Sequence, residues 1–255
     1  MTPVRWLAIA LLIVLTLRRF SPRELEPVAI PVLSLQPEPA TPEPVPEVFQ
    51  EPQDRLGFFS VPESKSFSHG TDSVQDIERR LPNVHQYWNE CPVTWVHEGT
   101  HYINGTLTRD SSRSQGLYLL GGTGVTLDCP RLTLAQIAAS IPEAERRTIY
   151  QTYLVTQRQW WDASPLYLLN EWVAYGNGCV CRKSLNWTGK KRIDTVRFFL
   201  EMEGYIQHMV RLAARDPDYK GLHKLETFVG WYGQKVREIV GPDDIALAEL
   251  ELRKK

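Results

Sequence analysis

Apolar residues beyond position 57 mostly recur every three or four positions, which predicts a largely helical domain. Two stretches, 196–213 and 222–236, keep this spacing for several turns, and we interpret each as a helix that buries one face. The predicted core positions are Val196, Phe199, Leu200, Ile206, Met209, Val210 and Ala213 in the first stretch, and Leu222, Leu225, Val229, Tyr232 and Val236 in the second.

Two further helices are predicted in the middle of the chain. The segment 140–143 (SIPE) has the spacing of a capping box, which predicts a helix that runs from there toward Trp161. A serine and a proline at 164–165 are typical of a second helix start. Gly176 and Gly178 are expected to end that helix, because glycine is common just past a helix C-terminus.

One segment has the pattern of β structure. Residues 116–129 (GLYLLGGTGVTLDC) contain two short apolar runs around a GGTG turn, which predicts a β-hairpin. Either Leu117–Leu120 or Val125–Leu127 is a candidate edge for pairing with an extended peptide, and the alternative is a purely structural hairpin. The predicted fold class is mainly α with a small β-hairpin or sheet (α+β), in one domain over 57–255.

The first 20 residues differ from the rest of the chain. An apolar run from Trp6 to Leu17 is shorter than the roughly 20 residues of a membrane span, so we interpret 1–20 as a signal peptide or signal anchor. Arg18 and Arg19 follow the run, which by the positive-inside rule favours a cytoplasmic domain. The N-terminal position of the run favours export, and we expect an anchored or secreted protein whose folded domain is extracytoplasmic.

The next segment, 21–56, contains nine of the 18 prolines with glutamates between them. Such a composition cannot bury a core and favours extended polyproline II structure. We interpret it as a linker that separates the membrane segment from the folded domain.

Charge and cysteine content add two expectations. The formal net charge is −1, so bulk electrostatics give no reason to expect a nucleic acid partner. Four cysteines in an exported chain permit two disulfides, in which Cys179 and Cys181 each pair with Cys91 or Cys129. The alternative is four reduced thiols. A zinc site built from these cysteines is not expected, because the chain has no CxxC pair.

The main chemical signal is the segment HEGTH, from His97 to His101. Pro92 suits the first turn of a helix there, and Gly105 suits its C-terminal cap. Residues four apart lie on one helix face, so the two imidazoles can converge on one zinc ion. Glu98 lies beside the first ligand, where it can act as general base toward a zinc-bound water. The alternative is a surface helix whose histidines bind nothing.

A catalytic zinc site needs a third protein ligand and an open fourth position. Glu171 lies in the apolar segment 168–175 (LLNEWVAY) and is the only carboxylate between Asp162 and Arg182. Burying a carboxylate there is costly unless it meets a metal or another cation, so Glu171 is predicted to be the third ligand. The alternative is an exposed glutamate on a polar stripe of the helix.

Together, the segments 97–101 (HEGTH) and 170–174 (NEWVA) resemble the gluzincin metallopeptidases, the broad thermolysin-like group. The resemblance implies a zincin-like domain over 57–255 with one Zn²⁺ per chain. The implied metal ligands are His97, His101 and Glu171, and the implied catalytic base is Glu98. Where such enzymes often have an acidic residue one turn after the glutamate, this chain has Tyr175, so a hydrogen-bond partner for a metal-bound histidine remains unassigned.

A hydrolase of this kind also needs a donor for the transition-state oxyanion. Tyr167 lies one turn before Glu171 and Tyr175 one turn after it, so both are candidate catalytic residues. His208, in a later helix, is a third candidate. Ordinary packing is the alternative role for each of them.

These features predict an anchored or secreted zinc metalloendopeptidase that hydrolyses proteins or peptides, with the membrane as a partner of its N-terminal segment. A cell-wall peptide cross-link would be a substrate of the same chemistry. The alternative from a different class is a catalytically inactive zincin-like binding module tethered to the membrane. Glu98 favours the enzyme, because a purely structural zinc site does not need it.

Overall fold

The computed structural model describes residues 56–61, 66–67, 72–73, 92–184 and 190–254. The segment interpreted as a signal or anchor, 1–20, lies outside the described residues, as does the linker except for its last residue. All described residues belong to one folding unit that spans 43–255. Within it, every described helix is too short or too polar to cross a bilayer.

Helices dominate the described part of the chain. They are α1 (Pro92–Leu107), α2 (Leu134–Ser140), α3 (Arg158–Trp161), α4 (Tyr167–Ser184), α5 (Lys190–Ala213), α6 (Leu222–Val240) and α7 (Pro242–Arg253). The strands are β1 (Phe59–Ser60), β2 (Ser66–Phe67), β3 (Asp72–Ser73), β4 (Ser114–Leu119) and β5 (Thr123–Asp128). The predicted class, mainly α with a small β component, is confirmed.

The predicted hairpin is also confirmed, as strands β4 and β5. The two strands are antiparallel, with Leu117 opposite Val125, and β1 extends the sheet on the other side of β5 to give the order β1-β5-β4. Gly121 and Gly122 form the turn with φ of 104° and 85°, a region that side-chain-bearing residues rarely adopt. Two short strands, β2 and β3, form a separate antiparallel pair.

Helix α4 lies at the centre of the fold, in contact with α1, β4, α5 and α6. Its Trp172 is fully buried, stacks on Phe199 of α5 at a centroid distance of 5.3 Å, and meets Tyr232 of α6 edge-on at 5.0 Å. Both predicted core faces are buried as expected, with only Leu222 half-buried. The apolar periodicity of α5 and α6 therefore reflects their packing around α4.

The predicted helix from residue 140 to Trp161 is wrong. Ser140 ends α2, because the next residue, Ile141, precedes Pro142 and has extended backbone with φ of −86° and ψ of 116°. The capping box belongs instead to the start of α2, where Thr133 and Gln136 bond reciprocally at 3.1 and 2.8 Å. A 3₁₀ turn (Glu143–Glu145), a π-helix (Gln151–Thr156) and the short α3 occupy the rest of the interval.

The expected end of α4 at Gly176 and Gly178 is wrong as well, since the helix continues to Ser184. Both glycines serve packing. A Cβ atom on Gly176 would collide with the side chain of Tyr232, and one on Gly178 would lie 3.1 Å from a methyl group of Val93. The missing side chains thus let α6 and α1 approach α4 closely.

Two cysteines of the expected disulfides are free thiols in the structure, Cys129 and Cys179. Burial raises the pKa of these thiols, to about 11 for Cys129 and about 12 for Cys179, so both stay protonated at neutral pH. Cys91 lies outside the described residues. The disulfide pairing stays a prediction.

Replacing Gly176 with alanine is expected to lower the free energy of unfolding by about 1–3 kcal/mol, because the added methyl group would overlap Tyr232. Urea denaturation of the full chain measures the change. Gly230→Ala on α6 is the matched control, since nothing lies within 4 Å of a methyl group there. That control is expected to raise the free energy of unfolding by about 0.5–1 kcal/mol, and equal effects of the two changes would contradict the close α4–α6 contact.

Candidate metal centre

The HEGTH segment lies on α1, as the sequence predicted, and His97 and His101 project from one face of it. Their rings meet edge to face at a centroid distance of 4.7 Å, and their Nε2 atoms lie 3.0 Å apart. His101 is buried and His97 is half-buried. The pair therefore turns two ring nitrogens toward one point at the boundary between α1 and α4.

Glu171 reaches the same point from α4. Its Oε2 lies 3.5 Å from His97 Nε2 and 3.3 Å from His101 Nε2. The residue is only 3% exposed, so the alternative of an exposed glutamate is wrong. Oε2 is buried and its contacts with the two ring nitrogens are ion-pair contacts without hydrogen-bond geometry, so a cation between the three atoms would satisfy it.

The spacing of the three atoms suits a metal ion. Ligand atoms about 2.0–2.1 Å from a tetrahedral centre lie about 3.3 Å from one another. The three separations here are 3.0, 3.3 and 3.5 Å. Among the described residues, this is the one group of three or more histidine, cysteine or acidic side chains arranged so that they could hold a metal ion.

The electrostatics of the site couple Glu171 to the two imidazoles. Burial acts against ionisation of Glu171, but the adjacent imidazoles outweigh it and hold the pKa of the carboxyl well below its usual range. Burial also acts to lower the pKa of His101, and the Glu171 carboxylate outweighs it, with a smaller contribution from Glu98, so that the pKa of His101 rises to about 9. The negative charge of Glu171 thus favours a cation at this point.

Glu98 is half-buried and lies outside the group of three ligand atoms. It is nevertheless close enough for its charge to act on His101, Tyr167 and Tyr175. A carboxylate at the edge of a cationic site, but not part of it, is available for proton transfer.

Two asparagines whose role the sequence did not indicate support His101. His101 Nδ1 lies 2.9 Å from Oδ1 of Asn170, the residue before Glu171. The same oxygen accepts a 2.7 Å hydrogen bond from Asn104 Nδ2 on α1. Asn104 follows His101 by three positions, so helical spacing alone could have indicated that it lies on the same face.

The tyrosines proposed as oxyanion donors have different surroundings. Tyr167 is buried beside Glu171, its ring stacks on Trp161 at 4.9 Å, and its hydroxyl donates to the Gln157 side chain. Burial and the Glu171 carboxylate, which also hydrogen-bonds this phenol, raise the pKa of Tyr167 well above its usual range. Its position indicates a supporting role for Glu171.

Tyr175 is better placed, since its ring lies 4.5 Å from that of His97. Its hydroxyl lies 2.6 Å from the hydroxyl of Tyr153, a residue that no sequence motif indicated as part of the site. Burial and the nearby Glu171 raise the pKa of both phenols, so both stay protonated at neutral pH. Two hydroxyls that share one hydrogen bond retain one hydrogen for a further acceptor. Tyr153 belongs to the π-helix, a feature often found at functional sites.

His208 is bonded elsewhere. Its Nε2 lies 2.9 Å from Glu145 Oε2, and its Nδ1 lies 3.5 Å from Ser140 Oγ. These partners belong to the 3₁₀ turn and to the end of α2, and His208 is not in the group around Glu171. The structure gives it a role in joining α5 to that region.

The hairpin strands are not open for pairing with a peptide as the sequence suggested. Val125–Leu127 lie in β5, the middle strand, and the outward backbone groups of β4 are bonded to side chains. Gly116 N donates to Thr108, Gly116 O accepts from Gln115, Tyr118 N donates to Asn104, Tyr118 O accepts from Asn177, and Leu120 N donates to Asn177. Asn104 of α1, Asn177 of α4, Thr108 just past α1 and Gln115 of β4 itself thus close this edge, and the hairpin is structural.

Comparison with protein-family models, with curated proteins and with solved structures found no match to this chain. Its function must therefore be inferred from the site itself.

Proposed function

We propose that this chain is a zinc-dependent peptide hydrolase with a zincin-like domain, in which His97, His101 and Glu171 hold one zinc ion. The observation that carries the proposal is the spacing of their ligand atoms, at 3.0 to 3.5 Å, around a buried carboxylate oxygen that makes no hydrogen bond. Two imidazoles and one carboxylate are a donor set that zinc hydrolases use, with a fourth position left for water or substrate.

Zinc bound at this point would act as a Lewis acid that polarises a carbonyl group and lowers the pKa of water. The protein then supplies the proton transfers. Glu98, next to His97 in the chain but outside the ligand group, is the proposed base that takes the proton of the attacking water and returns it to the leaving amine. Its half-buried position gives it access to solvent.

The Tyr153–Tyr175 pair is the proposed donor to the oxyanion. Tyr175 lies against His97, and the two protonated phenols have one hydrogen beyond their mutual bond. A donor fixed before the reaction stabilises the developing negative charge without further reorganisation. Tyr167 is left out of this role, because its hydroxyl donates to Gln157.

The substrate proposed is a protein or peptide. We further propose that the N-terminal segment exports and anchors the chain, or is removed after export, so that hydrolysis takes place outside the cytoplasm. The apolar run from Trp6 to Leu17 at the N-terminus supports this location.

The metal is tested by measuring zinc in the purified full chain by mass spectrometry. One zinc per chain is expected in the wild type. His101→Ala and Glu171→Ala each remove a proposed ligand and are expected to weaken zinc binding strongly. The loss should exceed the roughly 10–100-fold that is typical when a hydrogen-bond partner of a ligand is replaced. His223→Ala, at an exposed histidine of α6, is the matched control and should retain the metal. A wild type without zinc, or full zinc content in Glu171→Ala, would show that the proposed centre is wrong.

The enzyme is distinguished from a binding module by Glu98→Gln. We expect this variant to keep its zinc and to lose hydrolysis by at least about 100-fold, because the amide cannot accept the proton of water. Cleavage is measured on a mixed library of fluorescence-quenched peptides. Glu226→Gln, at an exposed position of α6, controls for the loss of one carboxylate. Zinc-loaded wild type that cleaves nothing in the library would favour the tethered binding module.

A further inference from the structure

The bonds between β4 and the metal centre form a continuous chain of buried polar groups. We infer that Asn104, which is held by the backbone of β4, positions His101. It does so by setting the orientation of the Asn170 amide, which in turn determines which imidazole nitrogen of His101 carries the lone pair that faces the metal. This inference rests on the zinc site proposed above. It assigns to Asn104 a positioning role, since the side chain does not touch the ligand atoms.

The first step is the contact with β4. The backbone nitrogen of Tyr118 lies 2.6 Å from the side-chain oxygen of Asn104. A backbone N–H can only donate, so the atom of Asn104 that faces it must be the oxygen. The amide nitrogen of Asn104 must then point the other way, where it lies 2.7 Å from Asn170.

The second step fixes Asn170 and His101. The amide nitrogen of Asn104 can only donate hydrogen bonds, so the atom of Asn170 that faces it must be the oxygen. That same oxygen lies 2.9 Å from His101 Nδ1, which must therefore carry a hydrogen. In a neutral imidazole this leaves the lone pair on Nε2, the nitrogen that faces His97 and Glu171.

Without Asn104, the amide of Asn170 could rotate by half a turn. It would then offer N–H groups to Nδ1 and favour the tautomer with its hydrogen on Nε2, which cannot bind a metal. With Asn104 in place, rotation would set two NH₂ groups against each other. Asn104 is fully buried and Asn170 is 3% exposed, so water is not at hand to relieve that conflict.

The chain offers a matched control in Asn177 on α4. This residue is also fully buried and also bonds the outer edge of β4, through Leu120 N at 3.1 Å and Tyr118 O at 2.9 Å. The hydrogen bonds of its side chain join it to Thr100, Tyr118, Leu120 and Tyr232, and not to His101 or Asn170. Replacement of Asn177 therefore loosens the same strand edge without altering the orientation of the metal ligand.

The test measures the zinc dissociation constant of the full chain by competition with a fluorescent chelator. Asn104→Leu and Asn177→Leu are both expected to lower stability, because each leaves a backbone group of β4 unbonded. Only Asn104→Leu is expected to weaken zinc binding, by about 10–100-fold. Equal zinc affinities in the two variants would overturn the inference.

A second variant, Asn104→Asp, keeps the acceptor for Tyr118 N–H and is expected to fold even where the leucine variant does not. Simple attraction between a new carboxylate and the cation would tighten zinc binding. The inferred role predicts the opposite sign, about 10-fold weaker binding or more, because a carboxylate facing Asn170 favours the rotated amide. The measurement is made at pH 8, well above the usual aspartate pKa of about 3.9. Affinity equal to or higher than that of the wild type would contradict the inference.

The same measurements separate this inference from the proposed function. A wild type that binds no zinc would refute the metal centre, and with it any positioning of its ligands. A wild type that binds zinc, together with Asn104 variants that bind it equally well, would refute the role of Asn104 and leave the proposed hydrolase intact.

Discussion

A carboxylate inside an apolar helix must be compensated, and much of this structure is arranged around that requirement. Glu171 lies on α4, the central helix, among fully buried neighbours such as Leu168, Trp172 and Val173. An isolated charge in such a place is costly. The two imidazoles of α1 meet it from the opposite side, and their attraction more than offsets the cost of burial, as the lowered pKa of Glu171 indicates. The α1–α4 contact is therefore both a packing interface and the proposed metal centre.

That contact depends on small residues and amides as much as on charges. Gly178 lets Val93 of α1 approach α4, and Gly176 does the same for Tyr232 of α6. Between α1, α4 and β4, the amides of Asn104, Asn170 and Asn177 bond one another, the strand backbone or His101. A buried polar network is stabilising only when its members are satisfied, and a satisfied one defines a single arrangement of its side chains. The inferred orientation of His101 thus depends on one part of this network, the bond from the Tyr118 backbone to Asn104 and from Asn104 to Asn170.

The features that the sequence predicted correctly depend on local patterns. The helix around His97 and His101 begins at Pro92 as predicted, although it continues past Gly105, the expected cap, to Leu107. The β4–β5 hairpin follows from two apolar runs around glycines that adopt positive φ. The errors came from reading capping signals without their surroundings. Ser140 is the last residue of a helix, since Pro142 keeps Ile141 out of helical backbone. Gly176 lies inside α4, where the missing side chain leaves room for Tyr232 of α6. The residues next to Gly176 in the chain give no sign of this contact.

The sequence by itself determined which ligand-type residues are available to the proposed site. Two histidines four positions apart on a helix must lie on one face. A carboxylate within an apolar stretch is costly to bury unless it meets a metal or another cation. Only the tertiary structure decided that the carboxylate reaches those histidines, that Tyr153 joins Tyr175 while Tyr167 bonds Gln157, and that two asparagines orient His101. The physical reason is that such contacts join residues distant in the chain. Whether these contacts form depends on how closely α1, α4 and β4 pack. The spacing of residues within one segment does not determine that packing.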